Sequence, residues 1–197
     1  MSLIQKLSDS ILERTHTFVA IISILAVFGS FLEISGGIWD AISHILREPE
    51  LFWTIQHIAV YSGVAMIASS GILGSIFLIK KKVQRHLNRG LQIIILGSVI
   101  QISAGYADSL SHDLYGIDGL VSWSHQPLEI GLILSALGGF MILSSIKNQK
   151  FRQLLPVSIL TLIFSISWFG FNLSLLFTSP ILCTLVYEIF SSGCAVL

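Results

Sequence analysis

Long apolar runs, repeated along most of the chain, constrain its fold more than any other feature of the sequence. A helix needs about 20 apolar residues to cross the core of a lipid bilayer. Six runs come near that length, at residues 18–44, 52–79, 91–112, 125–146, 154–177 and 180–197. Charged residues make up 11% of the chain, against about 25% in soluble domains. The sequence therefore predicts an all-α, polytopic transmembrane helical bundle of about six spans, the last of which is the shortest.

Basic residues are concentrated in two of the segments between these runs. Residues 80–90 contain five and residues 147–152 contain three, whereas 45–51 and 113–124 together contain only Arg47. Basic loops stay on the cytoplasmic side, so we expect a multi-pass protein of the cell membrane with a cytoplasmic N-terminus. The lipid bilayer is then its first partner. The formal net charge is zero, so the charge points to no acidic or basic partner, and we expect no nucleic-acid partner.

A repeat with an offset of 68 residues relates the first two runs to the next two. The stretch SGGIWDAISHIL at 35–46 aligns with SAGYADSLSHDL at 103–114, and the alignment continues without a gap to residue 139. Parallel repeats of this kind recur in membrane proteins. The sequence thus predicts a duplicated two-helix hairpin.

Each predicted hairpin carries the pattern Asp-x3-His-x12-His. It consists of Asp40, His44 and His57 in the first hairpin and of Asp108, His112 and His125 in the second. Side chains four residues apart share one helix face, and a short turn can return the later His beside them. One carboxylate and two imidazoles then converge on a metal ion near the outer face. The alternative is a structural polar network at a water-filled mouth.

Four further polar residues lie at equivalent positions relative to the two triads. Glu33 and Gln101 lie seven residues before each Asp, and Tyr61 and Glu129 lie four residues after each later His. They could orient a metal-bound imidazole through its free N–H, and Glu129 could also be a direct ligand. The alternatives are an interfacial aromatic role for Tyr61 and a hydrogen bond between Glu33 and Gln101 across the bundle.

These features divide the chain into five segments. We expect a cytoplasmic amphipathic segment at 1–17, a first metal-binding hairpin at 18–79, a basic cytoplasmic loop at 80–90, a second metal-binding hairpin at 91–146, and a basic loop with a C-terminal helix pair at 147–197. The chemistry is expected in the two hairpins, because ionisable residues inside a membrane are costly and usually functional.

The triads resemble the copper site in the metal-binding integral membrane subunit of the membrane-bound copper monooxygenases, which include particulate methane monooxygenase and ammonia monooxygenase. The stretch 40–57 is similar to the first metal site of that family, and 108–125 to the second. HIAVYS at 57–62 resembles the His-x3-Tyr-Ser that follows the first site in archaeal ammonia-oxidising members, whose short form the length of 197 residues suits. The family usually has Asn where this chain has Asp108.

The resemblance covers residues 35–146. It implies copper at both triads, a small substrate such as ammonia or a hydrocarbon, and other membrane subunits of a monooxygenase complex as partners. Ligand types alone leave copper, zinc and iron open, and also the choice between two mononuclear sites and one dinuclear cluster. An intramembrane zinc-dependent hydrolase, with Glu33 or Glu129 as the base, is one alternative. A non-catalytic copper or zinc carrier is another, although both triads lie at one membrane level.

Overall fold

The chain is helical along nearly all of the part that the computed structural model describes, which is residues 3–46, 54–80, 84–115 and 125–190. Within these ranges the helices are α1 Leu3–Leu46, α2 Ile55–Lys80, α3 Arg85–Tyr115, α4 His125–Ser145, α5 Gln149–Arg152 and α6 Leu155–Phe190. Five segments of the described residues are long and apolar enough to cross a membrane: one in each of α1 to α4, and one that runs from Gln149 in α5 to Phe177 in α6. The all-α prediction is confirmed.

The predicted sixth span does not form a separate helix among the described residues. The sequence predicts a break before Pro180, but α6 continues through Pro180 to Phe190 as one helix. Proline lacks a backbone N–H and removes one helical hydrogen bond, which apolar helices tolerate when neighbouring groups satisfy the freed carbonyl. The residues of the predicted C-terminal helix pair therefore form one helix as far as Phe190, and residues 191–197 lie outside the described part.

Two segments predicted to lie outside the spans, the amphipathic segment 1–17 and the basic loop 80–90, are largely helical. The predicted segment 1–17 runs into the first span without a break, because α1 begins at Leu3. Most of the predicted basic loop 80–90 is also helix, because α2 ends at Lys80 and α3 begins at Arg85. An apolar run marks only the part of a helix that suits the bilayer core, and the helix continues through polar residues beyond it.

Helices α1 to α4 pack as a four-helix bundle, with α6 against one side. The most extensive contacts are α1 with α2 and α3 with α4, and the other two sides are closed by α2 with α3 and α1 with α4. The last helix, α6, packs mainly on α4 and also on α1. Its buried residues are mostly polar, namely Ser158, Thr161, Ser165 and Asn172, together with Leu176. Small polar residues allow close helix packing in a membrane.

Paired glycines bring the two helices of each hairpin into backbone contact. A Cβ added to Gly29 would lie 2.8 Å from the carbonyl oxygen of Gly63, and one added to Gly97 would lie 2.7 Å from that of Gly131. Only a residue without a Cβ allows this approach. Gly29 and Gly63 lie 68 residues before Gly97 and Gly131, so the two hairpins make the same contact.

The contacts between the hairpins follow the same offset. A Cβ added to Gly71 of α2 would meet Ser98 and Ile95 of α3, and one added to Gly139 of α4 would meet Val27 of α1. Val27 is the residue 68 positions before Ile95. The α2–α3 contact thus recurs between α4 and α1.

Candidate metal centre

Asp40 near the end of α1 and His57 near the start of α2 contact each other. Nε2 of His57 lies 3.1 Å from Oδ1 of Asp40. The side chain of His57 is 28% exposed and that of Asp40 is 19% exposed, so the pair is accessible at this end of the bundle. The hairpin therefore brings together the first and last members of the first predicted triad.

Asp108 near the end of α3 and His125 at the start of α4 form a second pair. Nε2 of His125 lies 3.3 Å from Oδ1 of Asp108, and the side chains are 28% and 14% exposed. The same two atoms meet in both hairpins, at similar distances and with similar exposure. The triad pattern thus yields two matching Asp–His pairs.

The separation within each pair fits two ligands of one metal ion as well as a hydrogen bond. Ligand atoms at about 2.0–2.2 Å from a metal, with an angle of about 90–110° between them, are about 2.8–3.6 Å apart. The measured separations of 3.1 and 3.3 Å fall in that range. Imidazole and carboxylate are suitable donors for copper and for zinc. These residues therefore fit a metal.

The middle member of each triad is placed only by its backbone. His44 lies in α1 and His112 in α3, each four residues after its Asp, but their side chains lie outside the described part of the structure. Residues four apart share one face of a helix. Among the side chains that are described, no three His, Cys, Asp or Glu residues are grouped to hold a metal. The complete triads remain a prediction.

Tyr61 remains near the pairs. Its ring centroid lies 6.4 Å from that of His57, with the rings inclined by 51°. Asp40 and Asp108 both lie near enough to the Tyr61 hydroxyl to affect it electrostatically. Tyr61 is 41% exposed, so it can lie at the membrane interface and still influence the Asp–His pairs.

Glu33 and Gln101 bond each other inside the bundle. Nε2 of Gln101 lies 2.8 Å from each carboxylate oxygen of Glu33 and donates to them. It also donates to the carbonyl oxygen of Leu128 at 3.3 Å. The predicted hydrogen bond across the bundle is confirmed. Because seven residues span about 10 Å of helix, both side chains originate well inward of the Asp–His pairs.

Glu129 belongs to this inner region. It is 8% exposed and interacts electrostatically with Glu33. Its equivalent in the first hairpin is Tyr61, which is far more exposed. The two positions that share a register with the later histidines therefore differ in both chemistry and surroundings.

Trp168 of α6 covers the first hairpin close to its Asp–His pair. A Cβ added to Gly37 would lie 3.5–3.8 Å from atoms of the Trp168 indole, and Gly37 is about one turn before Asp40. The equivalent Gly105 faces Leu128 instead, at 3.7 Å. Asn172, one turn further along α6, is buried, and its Nδ2 donates to the carbonyl oxygen of Trp168.

Sequence reasoning finds no link between Trp168 and a triad, because α6 lies outside the repeat. Its only sequence signal is an aromatic residue four positions before an Asn in an apolar run. The site is thus two similar Asp–His pairs, one of them beside an indole. Comparison of the chain with models of protein families, with curated proteins and with solved structures finds no match.

Proposed function

We propose that this chain is an integral membrane protein that binds copper and serves as a subunit of a copper-dependent membrane monooxygenase. The observation that carries the proposal is the match between the Asp40–His57 and Asp108–His125 pairs. Duplication of a hairpin explains why such a pair occurs twice. It does not explain why the same atoms still meet, with similar exposure, while much of the sequence around them has diverged. A shared ligand requirement supplies that reason.

The ligands in this proposal are the two predicted triads. They are Asp40, His44 and His57 in the first hairpin, and Asp108, His112 and His125 in the second. Each carboxylate offsets part of the charge of the cation, and each imidazole supplies a nitrogen ligand. Copper bound there would supply redox chemistry toward dioxygen. The helices hold the ligand residues in register, and the lipid-facing bundle offers apolar surroundings to a small substrate such as ammonia or a hydrocarbon.

The two hairpins are copies of one ancestral hairpin, related by an approximate twofold axis along the bundle. The glycine contacts within the hairpins support this origin, because they recur at an offset of 68 residues. The contact of α2 with α3, repeated between α4 and α1, supports the axis. Duplication accounts for two sites in one chain.

The N-terminus and the basic segments lie in the cytoplasm, and the sites lie near the outer face. The basic residues support this orientation, since Lys80 ends α2 and Lys150 and Arg152 lie on α5. Both Asp–His pairs lie at the other end of the bundle, where α1 and α3 end and α2 and α4 begin. Other membrane subunits are the proposed partners, on the strength of the resemblance of the triads.

A zinc-dependent hydrolase would use the same ligands. It would also need a carboxylate base beside a metal-bound water. In the described structure the carboxylate of Glu33 accepts from Gln101, and Glu129 is buried near Glu33. These contacts count against either residue as the base and favour the copper proposal.

Metal content and electron-spin spectra of the purified protein test the proposal. We expect copper with nitrogen hyperfine structure. His57→Ala should remove the ion of the first site, His125→Ala that of the second, and the double variant both. His86→Ala, an exposed residue of α3, is the matched control and should retain all of the copper.

Three other outcomes would change the interpretation. Stoichiometric zinc without a copper spectrum would support the hydrolase. Loss of both ions from either single variant would indicate one dinuclear cluster. Equal metal content in the wild type and the double variant would contradict metal binding and leave a polar network.

A further inference from the structure

Three polar side chains meet inside the bundle, apart from both Asp–His pairs. Glu33 of α1, Gln101 of α3 and Glu129 of α4 are 8%, 1% and 8% exposed. We refer to these three residues as the inner cluster. Gln101 donates hydrogen bonds to Glu33, and the carboxyl group of Glu129 is near enough to Glu33 for two negative charges to repel each other. The proposed metal ligands do not include these three residues.

The inner cluster has too few hydrogen-bond donors for its acceptors. Two carboxylates offer four oxygens and the amide of Gln101 a fifth, whereas that amide has only two N–H groups. Nε2 of Gln101 already donates to Glu33 and to the Leu128 carbonyl. Within the described structure, Oε1 of Gln101 and Oε2 of Glu129 are buried without a hydrogen-bond partner. At least one donor is therefore missing.

Among the side chains that the structure describes, the spans bring no lysine or arginine to the level of the inner cluster. The other titratable side chains described near this level or outward of it are Asp40, His57, Tyr61, Tyr106, Asp108 and His125, and His44 and His112 are placed by their backbone alone. The basic residues of α3, Arg85, His86 and Arg89, lie near its opposite end. Residues 155–177 of α6 include no titratable side chain. Since two carboxylates in an apolar interior repel each other and resist desolvation, a bound proton is the simplest species that supplies a donor and removes a charge.

We propose that the inner cluster is a proton-exchange site. Glu33, Glu129 and Gln101 hold a buried proton, which exchanges with solvent through the open end of the bundle, the end where the Asp–His pairs lie. Chains of carboxyl and imidazole groups carry protons in many membrane proteins. Glu129 is one helical turn from His125, so it connects the inner cluster to the second Asp–His pair. The proposal stands on the cluster alone and does not depend on which metal the triads bind.

Infrared difference spectroscopy of the full-length, metal-free protein in lipid nanodiscs tests the proposal. We expect a carbonyl-stretch band of a protonated carboxyl group that shifts when H₂O is replaced by D₂O. Glu129→Gln and Glu33→Gln should each remove or shift the band. Glu129→Asp, which keeps a carboxyl group, should shift it without removing it. Glu13→Gln, twenty residues before Glu33 in α1, is the control and should leave it unchanged.

A variant in which Glu33 and Gln101 exchange their side chains distinguishes a shared proton site from a structural role of Glu33 alone. Because Glu33 and Gln101 contact each other, the double variant Glu33→Gln with Gln101→Glu keeps one carboxyl and one amide in contact. We expect this variant to restore the exchangeable band that Glu33→Gln alone removes or shifts. Circular dichroism confirms that each variant compared is folded.

Several results would overturn the proposal. A folded wild type without any protonated carboxyl band, or with a band that neither Glu variant alters, excludes the shared proton. A band that does not shift in D₂O excludes exchange. Carboxylate bands that respond instead to Na⁺, K⁺ or Ca²⁺ would make the cluster a cation site. None of these measurements uses bound copper, so they stand apart from the test of the proposed function.

Discussion

Gly29 and Gly63 meet backbone to backbone, because a Cβ added to Gly63 would lie 2.6 Å from the carbonyl oxygen of Gly29. Nearer the open end, a Cβ added to Gly36 would lie 2.8 Å from the backbone nitrogen of Val60. These two close approaches fix the register of α1 against α2. That register is what brings Asp40 opposite His57.

Gly63→Ala should destabilise the protein by about 1–3 kcal/mol, because the added methyl group overpacks the backbone contact with α1. Unfolding of the purified protein in mixed micelles measures the change. Gly170→Ala is the matched control, since nothing lies within 4 Å of a Cβ added there. It should stabilise α6 by up to about 1 kcal/mol through helix propensity. Equal effects of the two substitutions would contradict the packing described for α1 and α2.

Gln101→Leu should destabilise the bundle by about 1–3 kcal/mol, because it leaves the buried carboxyl group of Glu33 without its donor. The same unfolding measurement applies. Gln153→Leu, at an exposed position, removes an equal amide and should change the free energy of unfolding by less than about 0.5 kcal/mol. A neutral Gln101→Leu would show that the hydrogen bond to Glu33 contributes no net stability.

Trp168→Ala should affect only the first proposed site, because the indole packs on Gly37 and the equivalent Gly105 has no such neighbour. Removing this apolar wall admits water near Asp40, and we expect copper affinity there to fall by roughly tenfold. The measurement is copper titration in a His125→Ala background, which isolates the first site. The same substitution in a His57→Ala background should have no effect. Phe177→Ala, an exposed residue of α6, is the control for loss of an aromatic ring.

Single cysteines should report the proposed orientation in a background in which Cys183 and Cys194 are replaced by Ser. Ile55→Cys, at the 63% exposed first residue of α2, should react with a membrane-impermeant maleimide in intact cells. Asn148→Cys, at the exposed N-cap of α5, should react only after permeabilisation. The reverse pattern would place the Asp–His pairs on the cytoplasmic side.

Hydropathy and the repeat predicted most of the helical architecture. Each of the first four apolar runs lies within a helix of the structure or matches it to within a few residues. Hydropathy failed at Pro180, where a weakly apolar stretch with a proline suggests a break. Whether a proline ends a helix depends on the packing around it, which a single sequence does not contain.

The site was predicted in part. The spacing correctly brought Asp40 to His57 and Asp108 to His125, since i to i+4 spacing and a short turn are local geometry. It left two roles open for Glu33 and Gln101, because that choice depends on which helices face each other across the bundle. The contact of Trp168 with Gly37 depends on where α6 docks, and no periodicity in the sequence encodes that choice.

The docking of α6 on α4 and α1 has an evolutionary consequence under the proposed duplication. Two copies of a hairpin within one chain are inherited together, yet the fifth long helix gives each copy a different neighbourhood. A substitution in α6 therefore acts on the first copy through α1 and on the second copy through α4, which are not equivalent helices of the repeat. Selection can then specialise the two copies while they remain parts of one chain. The copies already differ at one pair of equivalent positions, Tyr61 in the first and Glu129 in the second.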